Sequence, residues 1–259
     1  MILGASSGFG QAASLALAEA GMHIFGVHLD RKATMPNVER IVDEIKGLGR
    51  EAVFFNVNAA DPEKRKEVLD QVEKILAERG ELLPGVRVLL HSLAFGTLKP
   101  YIAQDPKETV TPAQMEMTLD VMAHSLVYWA QDLIARNLMG RGGRIFAMTS
   151  SGGSRVIPYY GPVSAAKAAL ESHIRQLAVE LAPLGITANA IKAGVTDTPS
   201  LRKIPGHERL MEWAAERNPH KRLTTTEDVA HAIVALCHPG TYWVTGNVIG
   251  ADGGEDIVA

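Results

Sequence analysis

Tyr160 and Lys167 are the side chains whose types and spacing most directly suggest chemistry. They belong to the run from Thr149 to Lys167, which leaves an apolar strand, crosses a Gly/Ser loop and enters a long helix. A phenol at the helix entry and an ammonium farther in can face one cleft. There they act as a proton donor and the cation that lowers the donor's pKa. Pro162 favours a first helical turn, which places Tyr160 just ahead of the helix. Ser150, ten residues before Tyr160, is either a second donor or a loop hydroxyl that satisfies backbone. Tyr159 is the rival phenol, one residue farther from the lysine.

The elements around this run form a βαβ pattern. Met1 to Leu3 read as a strand stub before Gly4-Ala5-Ser6-Ser7-Gly8-Phe9-Gly10, an Ala/Leu-rich helix to Ala20, and the strand His23 to His28. A strand, a glycine turn and a helix can seat a dinucleotide pyrophosphate on the helix N-terminus. The glycines permit the tight turn and let backbone N–H groups approach the phosphates. Further strands are expected over 52–57, 86–92, 144–149, 186–192 and 248–250. Helices are expected over 36–48, 62–79, 112–138, 162–182 and 226–236, with an amphipathic segment over 201–216. The expected fold is α/β: a single-domain Rossmann-type, doubly wound parallel sheet over 1–259, with about seven strands and helices on both faces. Ligands in such sheets lie beyond the carboxyl ends of the strands. That rule gathers Gly4 to Gly10, His28 to Lys32, Asn56 and Val57, Ser92 to Phe95, Ser150 to Gly153, and Ala193 to Thr198 at one edge.

Composition narrows the function. A net charge of −3 gives no reason to expect nucleic acid or an anionic membrane as partner. No apolar run is long enough to span a membrane, and the N-terminus lacks a signal-peptide pattern. The single Cys237 excludes an intrachain disulfide, reads as a packed apolar residue, and suits a reducing cytoplasm. Nine histidines show no H-x3-H pairing, so no metal site is expected.

The chain resembles the short-chain dehydrogenase/reductase family from end to end. Gly4 to Gly10 is similar to its T-G-x3-G-x-G, with Leu3 in place of threonine. Asn189 to Thr198 is similar to its N-x-I…P-G…T segment, with Ala193 for proline, and Gly246 to Gly254 to its D-G-G ending. The active-site motif departs from Y-x3-K, because Val163 stands where that tyrosine would be. Tyr160-x6-Lys167 is the spacing of the divergent members that are enoyl-acyl-carrier-protein reductases, and His91-Ser92-Leu93-Ala94-Phe95 is similar to their H-S-[IL]-[AG]-F. The asparagine of the ordinary catalytic tetrad falls at Met122.

Reducing an enoyl thioester puts hydride on Cβ, three bonds from the carbonyl oxygen where charge develops. The donor must therefore be displaced relative to a ketone reductase, and three residues along a helix is roughly 4.5 Å. The resemblance implies NADPH-dependent reduction of the C=C bond of trans-2-enoyl thioesters on acyl carrier protein, in cytoplasmic fatty-acid synthesis. Its rivals are a carbonyl or alcohol oxidoreductase of the same family and a catalytically silent dinucleotide-binding protein. Tyr160, Lys167 and Ser150 are the catalytic candidates, with Phe95, Tyr160 and Val163 toward substrate. Gly4, Ser6, Ser7, Gly8, Phe9, Gly10, Asn56, Val57, Ser92, Leu93, Ala94, Lys167, Gly194, Thr196 and Thr198 are the cofactor candidates, with Lys167 on the nicotinamide ribose. Arg31, with Lys32, would clamp a 2′-phosphate and favours NADPH, whereas Asp30, if turned inward, favours NADH. Residues 196–218 would cover substrate, with Met211 and Trp213 as acyl-pocket residues or plain packing. Trp129 reads as core or as a helix–helix interface, and by resemblance the helices over 112–138 and 162–182 imply a homotetramer or homodimer.

Overall fold

A computed structural model describes residues 1–80 and 84–258. Seven parallel strands form one sheet in the order β3-β2-β1-β4-β5-β6-β7. They are β1 Ile2–Leu3, β2 Ile24–His28, β3 Ala52–Asn56, β4 Val88–His91, β5 Arg144–Ser150, β6 Thr187–Ala193 and β7 Val248–Ala251. The chain runs outward one way from β1 through β3, then returns to β4 and runs the other way. The crevice between β1 and β4 is therefore the switch point where such sheets bind ligands. Short as it is, β1 is paired on both sides, Leu3 opposite Val27 and His91.

Side chains alternate across the sheet and build a core on each face. Leu3, Leu89, Ile145 and Ala147 point one way, into a core shared with α3 (Pro62–Glu78), α5 (Ser125–Ala135) and α6 (Gly161–Leu181). Ile2, Val88, Leu90, Phe146 and Met148 point the other way, toward α1 (Gly8–Glu19), α2 (Met35–Gly47) and α8 (Thr226–Leu236). Cys237 lies in this second core, its thiol pushed up to about 11 by burial, so it is an inert packed residue. Among the described residues no helix is long and apolar enough to cross a membrane, and no three His, Cys, Asp or Glu residues are grouped to hold a metal.

The segment over 112–138 differs from the single helix expected. It is α4 (Pro112–Leu119), a π turn over Asp120–His124, and then α5. The local cause is Ser125, whose Oγ donates back to Val121 O at 2.9 Å and contacts His91 Nε2 at 2.9 Å. A serine bonding to its own helix one turn back competes with the regular ladder, and the strand-end histidine fixes it there. The helix stops at Ala135 because Asn137 takes a left-handed conformation, φ 55°.

Trp129 is fully buried on α5, and its Nε1–H donates to Ala59 O at 2.8 Å, bracing the loop after β3. Trp129→Phe should leave that carbonyl without a donor and open a void, costing about 2–4 kcal/mol. A urea unfolding midpoint equal to wild type would contradict this account of the loop.

Candidate active site

The glycine turn is dictated by close approach. Gly4 has φ 88°, and a Cβ there would lie 2.5 Å from Ser92 O, so the turn can touch the end of β4 only with glycine. A Cβ on Gly10 would lie 2.0 Å from Gly4 O. Gly10 therefore packs α1 under the turn and does not line the cleft. The Ser7 side chain makes no cap bond and so leaves the first N–H groups of α1 to other partners, at a helix end whose Ser7, Gly8 and Phe9 line the cleft.

The ends of the strands enclose a cleft of about 480 Å³. Of the cofactor candidates, Gly4, Ser6, Ser7, Gly8, Phe9, Val57, Ser92, Leu93, Ala94, Lys167, Gly194, Thr196 and Thr198 line it, as do Ser150, Tyr160, Val163 and Phe95. Arg31 and Asn56 do not. Arg31 is exposed on the loop past β2. Asn56 turns to Asp30, accepting from its N–H at 2.9 Å and donating to its carbonyl at 3.0 Å, and Asn58 lines the cleft beyond it. These contacts hold the Asp30 backbone, and its carboxylate lies 2.9 Å from His28 Nδ1. Burial pushes that carboxyl up, but hydrogen bonds from Ser6, Thr34 and His28 outweigh it and leave the group below its ordinary value. This carboxylate stands beside His28 and Ser6, which line the cleft, without lining it itself.

Tyr160 and Tyr159 part ways at the entry to α6. Tyr159 takes φ 64° and stays 45% exposed, whereas Tyr160 is only 9% exposed and points into the cleft. Its ring lies over Gly152, where a Cβ would sit 2.6 Å from Cε1. The phenol oxygen is 3.3 Å from Ser150 Oγ, which makes Ser150 a second hydroxyl on the same point in space. The sequence suggested that Lys167 lowers the phenol's pKa, but burial raises it and only the Ser150 bond opposes the rise. Tyr160 is a neutral donor at physiological pH.

Lys167 is buried, and its Nζ donates to Met148 O at 2.6 Å. Burial pushes its ammonium down to about 8, against the pull of the Glu171 carboxylate. His91, fully buried at the end of β4, is held down to about 3 by burial and by the Lys167 charge, so it stays a neutral imidazole.

One lobe of the cleft is polar, around the glycine turn, Thr196 and Thr198. The other is apolar, walled by Leu98, Met122, Ile157, Val163, Ile204 and Leu210. The expected covering segment is a short turn at Leu201–Lys203 and then α7 (His207–Arg217). Leu201, Ile204 and Leu210 line the cleft, but Met211 and Trp213 do not; Trp213 stacks under Arg217 at 4.7 Å. Sequence reading missed Gly96 and Glu255. A Cβ on Gly96 would lie 2.7 Å from Met122 Sδ, so its place directly after the His91–Phe95 run was a usable signal. Glu255 accepts from the Val195 N–H at 3.1 and 3.2 Å, tying the C-terminal tail to the loop after β6. No local pattern announces a contact across sixty residues.

A turn that only glycines fit, helix N–H groups at its end, a carboxylate beside the cleft-lining Ser6 and His28, and a buried ammonium match the parts of a dinucleotide. Two hydroxyls beside an apolar lobe can hold a carbonyl oxygen and its hydrocarbon.

Residues 4–255 match the family described as Enoyl-(Acyl carrier protein) reductase. The NADH-type enoyl-[acyl-carrier-protein] reductase FabI of Aquifex aeolicus (strain VF5) is 31% identical over 240 residues, covering 91% of this chain and 84% of that one. A 1-cyclohexenylcarbonyl-CoA reductase of Streptomyces collinus is 30% identical over 261 residues, covering 100% of this chain and 87% of that one. The crystal structure of the Aquifex aeolicus VF5 enoyl-[acyl-carrier-protein] reductase superposes with a TM-score of 0.81 at 26% identity, over 100% of this chain and 96% of that one. The chain belongs to the enoyl-(acyl carrier protein) reductase family, a divergent branch of the short-chain dehydrogenase/reductases, and is a nicotinamide-dinucleotide-dependent oxidoreductase.

Proposed function

We propose that the protein reduces the C=C bond of trans-2-enoyl thioesters on acyl carrier protein with NADH. The observation that carries this reading is the pair Ser150–Tyr160 facing the cleft while Val163, three residues on, offers only an apolar wall. The phenol sits before the helix, displaced by about one turn from where a ketone reductase needs its donor. The nicotinamide, when bound, supplies the hydride that goes to Cβ. Tyr160 donates its hydrogen bond to the thioester oxygen as that oxygen gains charge, Ser150 assists it, and a proton taken from solvent at Cα completes the addition. A phenol kept neutral by burial suits a donor and makes a poor general base. Lys167 holds the nicotinamide ribose hydroxyls. The apolar lobe takes the acyl chain.

Asp30 supports NADH over NADPH. Its carboxylate, held against His28 beside the cleft-lining Ser6, would repel a 2′-phosphate brought to the end of β2, and neither it nor Arg31 lines the cleft itself. A cytoplasmic homotetramer or homodimer assembled through α5 and α6, acting in fatty-acid synthesis, completes the proposal; Tyr128 and Val179 stand exposed on those helices.

Following NADH absorbance with crotonyl, dodecenoyl and acetoacetyl thioesters tests the reaction. Oxidation with the first two is expected; turnover of the ketoacyl substrate alone would overturn the assignment. Tyr160→Phe should lower kcat about 10²–10³-fold and leave NADH affinity near wild type. If Tyr159→Phe did this instead, the wrong phenol has been named. KM should be lower for NADH than for NADPH, and Asp30→Asn should narrow that preference by about tenfold. An unchanged ratio would remove Asp30 from cofactor choice.

Lys167 binds the cofactor best when charged. NADH affinity should therefore be highest below its pKa of about 8 and fall as pH rises through it. Fluorescence titration across that range checks the sign, and flat affinity would mean the ammonium takes no part.

A further inference from the structure

We infer that Glu171 is a positioning residue for Lys167: it fixes the strand end that Lys167 grips and supplies the negative charge that keeps that lysine's ammonium aimed into the cleft. The inference rests on the proposed role of Lys167 as a ligand of the nicotinamide ribose.

The two side chains lie one turn apart on α6, the spacing at which helix neighbours face the same side. Both pack against the loop that leaves β5. A Cβ on Gly153 would lie 3.2 Å from Lys167 Cβ and 3.4 Å from Glu171 Oε1, so this glycine lets both side chains close on the loop at once. Each then takes hold of a different residue of one strand. Lys167 Nζ donates to Met148 O at 2.6 Å, and Glu171 Oε1 accepts from Thr149 Oγ1 at 2.7 Å. Ser150 follows directly. The two rungs thus set the height of α6 against the residue that faces Tyr160.

The charge argument is separate from the geometric one. A lysine ammonium taken out of water loses its proton readily unless an anion stands near. The titratable groups that act on Lys167 are His91 from β4 and Glu171 from α6 itself, and Tyr160, from the entry to α6, shares its cleft. His91 is neutral and Tyr160 is a neutral phenol at working pH. Glu171 is the group that raises the lysine's pKa against its burial. Its carboxylate carries the counter-charge, and the Thr149 hydroxyl orients it.

NADH titrations of the full-length protein across pH, with thermal unfolding in parallel, test this. Glu171→Gln keeps the acceptor for Thr149 and removes the charge. Its alkaline fall in affinity should begin at lower pH, leaving NADH bound roughly threefold more weakly at the wild-type midpoint and equally well near about pH 6. Thr149→Val removes the rung and keeps the charge, so its fall should stay where wild type has it while its Tm drops. If Glu171→Gln lowers Tm but does not move the fall, Glu171 is a structural strut and the inference fails. If the wild-type protein shows no alkaline fall at all, the reading of Lys167 fails first, whatever the enoyl assay gives.

Discussion

An ammonium group buried against a strand-end carbonyl is the contact on which the rest of the site depends. Lys167 Nζ reaches Met148 O at 2.6 Å from the second turn of α6, and every other site group is placed relative to that line. The helix must approach β5 closely, which requires glycines at 152 and 153, where Tyr160 and Lys167 would otherwise meet a Cβ. With the helix that close, the phenol before it falls within 3.3 Å of Ser150. The Tyr159 backbone takes up the turn between loop and helix with a left-handed φ of 64°, a conformation that costs a non-glycine residue about 1 kcal/mol or more. That residue is exposed, so the strain is placed where no packing depends on it.

The electrostatics of the cleft follow one pattern. His91 is held neutral, Tyr160 is held neutral, and Lys167 carries the positive charge at physiological pH. A reaction that develops negative charge on a thioester oxygen is helped by donors that need not move and by a cation in a low-dielectric wall. Keeping His91 uncharged avoids a second cation beside the first. Its Nε2 instead contacts Ser125, and through it the π turn whose Val121 and Met122 line the apolar lobe. The same strand end thus serves both the charge distribution and the shape of the pocket.

Much of this was legible in the residues. Strand ends were predictable because parallel topology sends them all to one edge, and Tyr160, Ser150 and Lys167 meet there as their spacing required. Side-chain direction was less legible. The Asp30 backbone is held by Asn56, twenty-six residues away, and its carboxylate by His28, and no period in the chain encodes those bonds. The π turn escaped for a similar reason. Apolar periodicity over 112–138 reports one continuous helix, while the bulge is fixed by a contact between Ser125 and a strand-end histidine. The phenol's net shift is upward where the Lys167 spacing suggested a downward one, because a spacing reports proximity and says nothing of burial.

That burial sets a trade between stability and function. The Lys167 ammonium falls from an ordinary 10.5 to about 8 on folding, so the native state resists its charge. Below about 8 both folded and unfolded chains bind this proton and the fold carries the full penalty, on the order of 3 kcal/mol. Between about 8 and 10.5 the unfolded chain binds more protons, so this group's contribution to stability improves as pH rises. On the proposed role of Lys167, cofactor binding has the opposite dependence, since it favours the charged lysine. The apoprotein therefore gains stability over the range in which its affinity for the dinucleotide weakens. A ribose held by Lys167 would offset the penalty only where the lysine is charged, which would make ligand stabilisation largest at the pH where the empty fold is most burdened.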